Sequence, residues 1–330
     1  MNILLVNLSF LGDTILSTPV IAGLKKIYPE SRISLLTTPV SSGLVINDPL
    51  VSEVITYDKR RRDKGFKGLV KQASLLREKK FDKVYSIHRS PRTSLLLFLA
   101  KIPERIGFKD AKLGFLYTEQ RGKEFNGHAA IRNLSLLFQD MDKQKFNKEL
   151  RLFAPDIKAA SEKVREIPEK YIVMAPGSAW RTKQWHWQGY LSIAEHYIKK
   201  GIDIVLIGGQ DDMDICRKIK TRARVTDLAG KITIQDTLHV MKNASLLVCN
   251  DSMPLHMASA FKIPTVAVFC ATSPEFGFGP WQNENARVVE DSVLECKPCR
   301  RHGSNKCPAG TEKCMELDPE IVIQACGELI

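Results

Sequence analysis

Short apolar runs alternate with amphipathic stretches along the whole chain, and that alternation limits the fold more than any other feature. Strand-like runs stand at Ile3–Leu8, Ile33–Leu36, Val54–Thr56, Lys83–Ser86 and Arg105–Ile106. Helical patterns fall near Thr14–Ile27, Gly68–Lys79, Thr93–Ala100 and Ala129–Met141. At Phe153-Ala154-Pro155 the pattern breaks and then restarts. Strands are expected again at Tyr171–Ala175, Asp203–Ile207, Ser245–Cys249 and Thr265–Phe269, and helices at Gln188–Lys200, Asp212–Lys220, Thr233–Lys242, Pro254–Phe261 and Pro319–Leu329. A helix that crosses between two strands returns the chain to the same end of the sheet, so the strands pair in parallel. The pattern predicts an α/β fold of two Rossmann-like domains, 1–153 and 154–330, with helices on both sheet faces and a last helix able to cross back to the first domain. The 330 residues suffice for two domains of ordinary size. No apolar run approaches the roughly 20 residues that span a bilayer. The N-terminus enters Ile3-Leu4-Leu5-Val6 without a basic flank, so it reads as a first buried strand and not as a signal peptide. Cytoplasm is the expected location.

The net charge of +12 is unevenly placed. Residues 1–153 hold 27 Lys and Arg against 15 Asp and Glu, whereas residues 154–330 hold 22 of each. A basic half implies an anionic partner. Nucleic acid, an anionic membrane face and a phosphorylated or carboxylated acceptor all satisfy that, but no nucleic-acid-binding motif accompanies the charge. The densest run is Lys59-Arg60-Arg61-Arg62, which as a plain alternative is a solvated loop. His88-Arg89-Ser90-Pro91-Arg92 follows a strand at the sheet edge to which residue 13 also belongs, and His88, Arg89 and Arg92 there suit carboxylates or phosphates.

Four further segments carry chemistry. In Ser245–Ala260 an apolar run meets Asn250-Asp251-Ser252 and then a helical pattern with His256 in its first turn, a strand–turn–helix junction whose N–H groups and dipole suit a diphosphate. Asp13 follows the first strand by the short loop Ser9-Phe10-Leu11-Gly12, where a carboxylate can take a proton from an attacking hydroxyl and Gly12 lets backbone pass close to a ligand. Lys183, in the loop after Tyr171–Ala175, can stabilise charge on a departing phosphate, with Ser178 bonding a phosphate oxygen and Arg181 competing for the same task. Gly208-Gly209-Gln210-Asp211-Asp212 offers a close approach and, in Asp212, a carboxylate for ribose hydroxyls. Each segment also has a plain reading as a capped turn or a solvent-facing loop.

Together these segments resemble one family. D-S-x-P-x-H-x-A from Asp251, followed by Ile263–Phe269 and Phe278-Gly279-Pro280-Trp281, is similar to the nucleotide-sugar site of the ADP-heptose:lipopolysaccharide heptosyltransferases. So are Leu11-Gly12-Asp13-Thr14, Ala175-Pro176-Gly177-Ser178 and Lys183-Gln184-Trp185, in the same order. The resemblance implies a GT-B architecture with two parallel-sheet domains facing across a cleft, the first for the acceptor and the second for the nucleotide sugar. It implies Asp13 as base, Lys183 as the diphosphate cation, and Gly12, Ser178, Asp212, Asp251, Ser252, Met253 and His256 as donor-site residues. Arg60, Arg61, His88, Arg89 and Arg92 are then the acceptor residues. Met253 departs from the pattern, where the family usually has Gly.

The cysteine block Cys296–Met315 resembles the heptosyltransferase II branch. Its spacing, C-x2-C-x7-C-x6-C at Cys296, Cys299, Cys307 and Cys314, admits a tetrahedral zinc site. The preferred reading is a loop with free or redox-paired thiols, because the family's donor chemistry is metal-independent and no cofactor is expected for transfer. The function expected is an inverting transfer of heptose from ADP-heptose to the anionic inner core of lipopolysaccharide (Kdo-lipid A), with peripheral contact at the inner membrane's cytoplasmic face. The alternatives are a heptosyltransferase I-like acceptor choice, another nucleotide sugar, or a non-catalytic nucleotide or nucleic-acid binder.

Overall fold

A computed structural model describes residues 1–124 and 126–330. The chain divides into two compact units, Met1–Phe153 and Ala154–Ile330. In the first, six strands form one parallel sheet: β1 (Asn2–Val6), β2 (Arg32–Thr37), β3 (Glu53–Thr56), β4 (Lys83–Ser86), β5 (Glu104–Phe108) and β6 (Glu119–Arg121). Their spatial order is β3-β2-β1-β4-β5-β6. Neighbours along β1 point to opposite faces, yet Leu4 and Leu5 are both fully buried, so helices cover both sides. One face is closed by Leu69, Ala73 and Leu76 of the helix Gly65–Glu78 and by Leu96 and Leu97 of the helix Pro91–Leu99, which pack on Leu4, Val6, Leu36 and Val84.

The second unit repeats the plan with β7 (Tyr171–Ala175), β8 (Asp203–Leu206), β9 (Thr226–Asp227), β10 (Leu246–Asn250), β11 (Thr265–Val268) and β12 (Ala286–Val289), in the order β12-β11-β10-β7-β8-β9. Every residue of β7, β10 and β11 is buried, which is why these runs read as unbroken apolar stretches. In each sheet the chain starts at a central strand, builds outward and then returns to the strand's other side. That reversal falls between β1 and β4 in one unit and between β7 and β10 in the other. Loops at the carboxyl ends of those strands flank the crevice where such sheets bind ligands.

Several boundaries differ from the sequence expectation for identifiable reasons. The helix expected over Thr14–Ile27 is two, Leu11–Ile15 and Thr18–Ile27. Pro19 has no N–H to give the Ile15 carbonyl, and the Thr18 hydroxyl bonds that carbonyl instead at 2.8 Å. The pattern over Ala129–Met141 is α-helical only to Leu134 and goes on as a 3-10 turn over Ser135–Leu137, and Pro39–Val45 is a helix the periodicity does not show. The strands β6, β9 and β12 lie at or beside sheet edges, are two to four residues long and carry little apolar signal. The last helix, Pro319–Gly327, packs on the helix Trp187–Lys199 and on β11 and β12 of its own unit. Among the described residues no helix is long and apolar enough to cross a membrane.

Candidate active site

In the first unit the carboxyl end of β1 is organised by Asn7, which is buried. Its Nδ2 donates to the Asp13 carbonyl at 3.1 Å and to Ser17 Oγ at 3.0 Å, and its Oδ1 accepts from the Ser9 N–H at 3.2 Å. One side chain therefore fixes both ends of the turn that carries Gly12 and Asp13. Asp13 lies in the first turn of the helix Leu11–Ile15, half-buried, at the β1–β4 reversal.

The basic residues expected to meet the acceptor divide into two groups. Arg60 and Arg61 are exposed, and the Arg60 guanidinium stands 5.8 Å from the Phe10 ring centroid, beside the Asp13 turn. Arg92 instead faces its own unit. Its Nε donates to Tyr57 Oη at 2.7 Å, and Nη2 donates to the carbonyls of Asp63 and Gly65, so it clamps the 57–65 loop. Arg89 pairs with Asp110. A loop arginine looks the same in sequence whether it points to solvent or caps nearby carbonyls, and of these four it is Arg92 that caps. Lys59, not singled out from the run, reaches under the loop: Nζ donates to the Leu8 carbonyl at 3.0 Å and stands 3.4 Å from His88 Nε2.

His88 is thereby a neutral bridge. Lys59 donates to Nε2, so Nδ1 carries the proton toward Thr93 Oγ1 at 2.7 Å. Burial first, then Lys59 and Arg89, push its pKa down to about 4. The unfolded chain protonates this imidazole near 6.5. Between those two values the unfolded state binds more protons, so stability is present above pH 6.5 and is lost as pH falls toward 4, on the order of 2 kcal/mol. His88→Asn is expected to flatten this part of the pH dependence, read as urea midpoints at pH 7.5 and 5.

In the second unit the loops after β7 and β10 join through a buried ion pair. Lys183 Nζ lies 2.6 Å from Asp251 Oδ2, with the side chains 11% and 5% exposed. Thr272 Oγ1 donates to the same oxygen at 2.7 Å. Lys183 is thus no solvated loop cation; it is held at the β7–β10 reversal by a carboxylate from the next strand. Arg181, its rival, is exposed and paired with Glu312. Asn250, the last residue of β10, plays the part that Asn7 plays in the first unit. Its Oδ1 accepts from the Trp185 N–H at 3.0 Å, and Nδ2 donates to the Pro176 and Gly177 carbonyls at 2.8 and 3.3 Å. Asn250→Ala strips three buried bonds and is expected to cost about 2–4 kcal/mol, measured by denaturant unfolding.

Around this pair lie the expected donor residues of the second unit, while Gly12 belongs to the first. Ser178 Oγ donates to the Asp251 carbonyl at 3.3 Å, and Gln184 Nε2 donates to the Ser178 carbonyl at 2.9 Å. Asp212 turns back onto its own loop, accepting from the Gly209 N–H at 2.8 Å, and desolvation raises its pKa. It fills the space beside Gly177, where a Cβ would stand 1.9 Å from Asp212 Oδ1, so only glycine fits there. The helix Met253–Phe261 begins at Ser252, whose hydroxyl does not cap it. The N–H cradle is thinner than expected, because Pro254 has no N–H and Leu255 bonds the Ser252 carbonyl. His256 is buried and Met253 half-buried. Among the tryptophans, Trp185 is a core residue: it is fully buried, and its Nε1 donates to the Leu317 carbonyl at 2.9 Å. Trp187 packs at the core edge under Arg222, and Trp180 is exposed.

Sequence reasoning missed Asn7, Lys59, Tyr57 and Thr272. The last three act through partners distant in sequence, and only Asn7 carries a local sign, a buried-strand residue changing from apolar to amide at the strand's end.

The family model described as glycosyltransferase family 9 (heptosyltransferase) matches residues 70–309. Lipooligosaccharide heptosyltransferase 2 of Campylobacter jejuni is 26% identical, and the match covers 98% of this chain and 96% of that protein. The crystal structure of a glycosyl transferase family 9 protein from Veillonella parvula superposes with a TM-score of 0.87 at 25% identity, over 99% of this chain and 96% of that one. The fold is also that of Escherichia coli ADP-heptose lps heptosyltransferase II, with a TM-score of 0.82, 22% identity, and 100% and 98% of the two chains covered.

Proposed function

Because the chain belongs to glycosyltransferase family 9, a family of heptosyltransferases, we propose that it moves heptose from ADP-heptose onto the inner core of lipopolysaccharide, on a singly heptosylated acceptor. The relatives named heptosyltransferase 2, matched nearly end to end, support that choice of substrates. The observation that carries the chemistry is the Lys183–Asp251 pair at the β7–β10 reversal, next to the start of the helix Met253–Phe261.

In this reading the acceptor hydroxyl attacks the anomeric carbon in a single displacement, which inverts its configuration. The hydroxyl proton passes to the Asp13 carboxylate as the new C–O bond forms. The bond from the anomeric carbon to the diphosphate oxygen breaks, and its electron pair leaves with ADP. Lys183 offsets the charge gained by the diphosphate, and the N–H groups at Ser252 and Met253 add to it. Asp251 keeps the Lys183 ammonium fixed before the donor arrives, so little reorganisation is needed in the transition state. Arg60 and Arg61, exposed beside the Asp13 turn, meet the anionic acceptor and with the rest of the basic half favour an anionic membrane face. Asp212 and Met253 border the nucleoside side. Met253 is the one observation favouring a second donor, because a side chain there narrows the space that glycine leaves in the family.

A transfer assay tests the reading. ADP-heptose is supplied with unheptosylated or singly heptosylated Kdo-lipid A, with and without EDTA, and products are read by mass spectrometry. Heptose added only to the singly heptosylated acceptor, at a rate EDTA does not change, is the expected result. Addition to the bare Kdo acceptor moves the assignment to the type I reaction. No product with either acceptor overturns it and points to another nucleotide sugar.

A further inference from the structure

The cysteine block is a long irregular segment. From β12 to the final helix, only the short turn Lys313–Met315 is regular. A loop of that length inside a compact unit needs something to hold it, since loops beyond about 12–15 residues without structure of their own are uncommon. Its apolar content does so only in part: Cys314 and Met315 are in the core, whereas Cys296 is exposed and Cys299 and Cys307 are half-buried. The four thiols Cys296, Cys299, Cys307 and Cys314 instead line one small cavity, with room for about one water-sized body, roughly 10 Å3. All four are free thiols.

The same cavity is walled by Thr182 and Ala271, and the loop is tied to both. The Thr182 N–H donates to the Ser304 carbonyl at 3.0 Å, and the Ser304 N–H returns a bond to Thr182 Oγ1 at 2.9 Å. The Cys299 N–H donates to the Ala271 carbonyl at 2.9 Å, and Glu312 pairs with Arg181. Thr182 is the neighbour of Lys183, and a Cβ at Gly303 would stand 3.0 Å from Lys183 Cγ. The block therefore forms the outer wall of the turn that carries Lys183.

We propose that Cys296, Cys299, Cys307 and Cys314 form a tetrathiolate site for one divalent transition metal, zinc or iron(II), which staples this loop and so positions the Lys183 turn. As the side chains stand, no group of three or more His, Cys, Asp or Glu among the described residues is close enough to hold an ion. Binding requires the thiols to swing into the cavity about their χ1 bonds. Four S–metal bonds form, each thiol not already ionised gives its proton to solvent, and no electron changes hands. Four soft sulfur donors select zinc or iron over magnesium or calcium. The resulting centre of formal charge −2 lies among Lys297, Arg300, Arg301, Lys306 and Lys313, which offset it. The other four cysteines are an internal control: all are buried in the core, and burial pushes Cys216 and Cys326 up to about 12.

The test is metal stoichiometry, which does not depend on the donor assignment. Protein purified without chelators or a metal-affinity column is gel-filtered and analysed by inductively coupled plasma mass spectrometry. About one zinc or iron per chain is expected, with four thiols becoming reactive to Ellman's reagent only after a strong thiol-competing chelator is added. The double variant Cys307→Ser/Cys314→Ser should fall below about a fifth of that content and be cut faster by protease within 290–318. If the wild-type protein holds no metal above trace while Cys296, Cys299, Cys307 and Cys314 react freely, the proposal is wrong. A disulfide between any two of them in mass spectra of the native protein overturns it equally. Zinc against iron is read from the same measurement.

Discussion

Asp13→Asn is expected to lower kcat by about 10³-fold, within the range a positioned general base supplies, while leaving the fold and donor affinity in place. The reason lies in which atoms hold the loop. Asn7 grips the backbone carbonyl of Asp13, and the helix turn is closed by Phe10 and Gly12 carbonyls, so the carboxylate does not hold the loop through these bonds. Exchanging one oxygen for an amide nitrogen removes the proton acceptor while keeping the size and shape of the side chain. Donor binding belongs to the second unit in the proposed reading and should be unchanged by calorimetry. Asn7→Ala is the contrasting variant. It keeps the carboxylate but frees both ends of its turn, so stability and kcat should fall together. If Asp13→Asn retains activity within about threefold of the parent, Asp13 is not the base.

Lys183→Met should show two separable losses. Removing the ammonium leaves Asp251 buried with Thr272 still on its Oδ2, and breaking a buried pair from one side costs about 3–5 kcal/mol. The departing diphosphate also loses its cation, which lowers kcat by about 10²–10³-fold. The double variant Lys183→Met/Asp251→Asn separates them. With no unpaired charge left, most of the stability should return, because a buried pair as a whole contributes far less than its broken half costs. The activity should not return. Thermal midpoints and turnover on the three proteins decide it. Full recovery of turnover in the double variant would mean that Lys183 serves the fold alone.

What could be read from the sequence depended on how far each signal reaches along the chain. Strands buried on both faces, such as β4 and β7, fall at the residues that the apolar runs mark. The edge strands β6 and β9 are invisible because a half-solvated strand of two or three residues carries no pattern. The split at Ser17 was legible in principle from Pro19, since proline near a helix start is a boundary signal. At the site, Asp13 and Lys183 stand out only through the family's motifs; locally each is an ordinary polar residue at a turn. The Asp251 partner of Lys183 follows a different strand, so no spacing rule connects them. The partners of Arg89 and Arg92 are hidden from the sequence for the same reason: Asp110, Tyr57 and Asp63 are brought to them by the sheet.

The way each unit closes on itself has a consequence for engineering. The chain leaves the first unit pinned, since the Arg151 N–H donates to Thr18 Oγ1 at 2.9 Å and its guanidinium pairs with Asp48. The second unit ends with its own helix packed on its own sheet. A splice at Phe153–Ala154 therefore severs neither hydrophobic core. In the proposed reading, residues 1–153 of a relative with a different lipid acceptor, joined to residues 154–330 of this chain, would make an interchangeable cartridge: the graft would carry over the choice of what is glycosylated while the machinery that releases the nucleotide stays as it was.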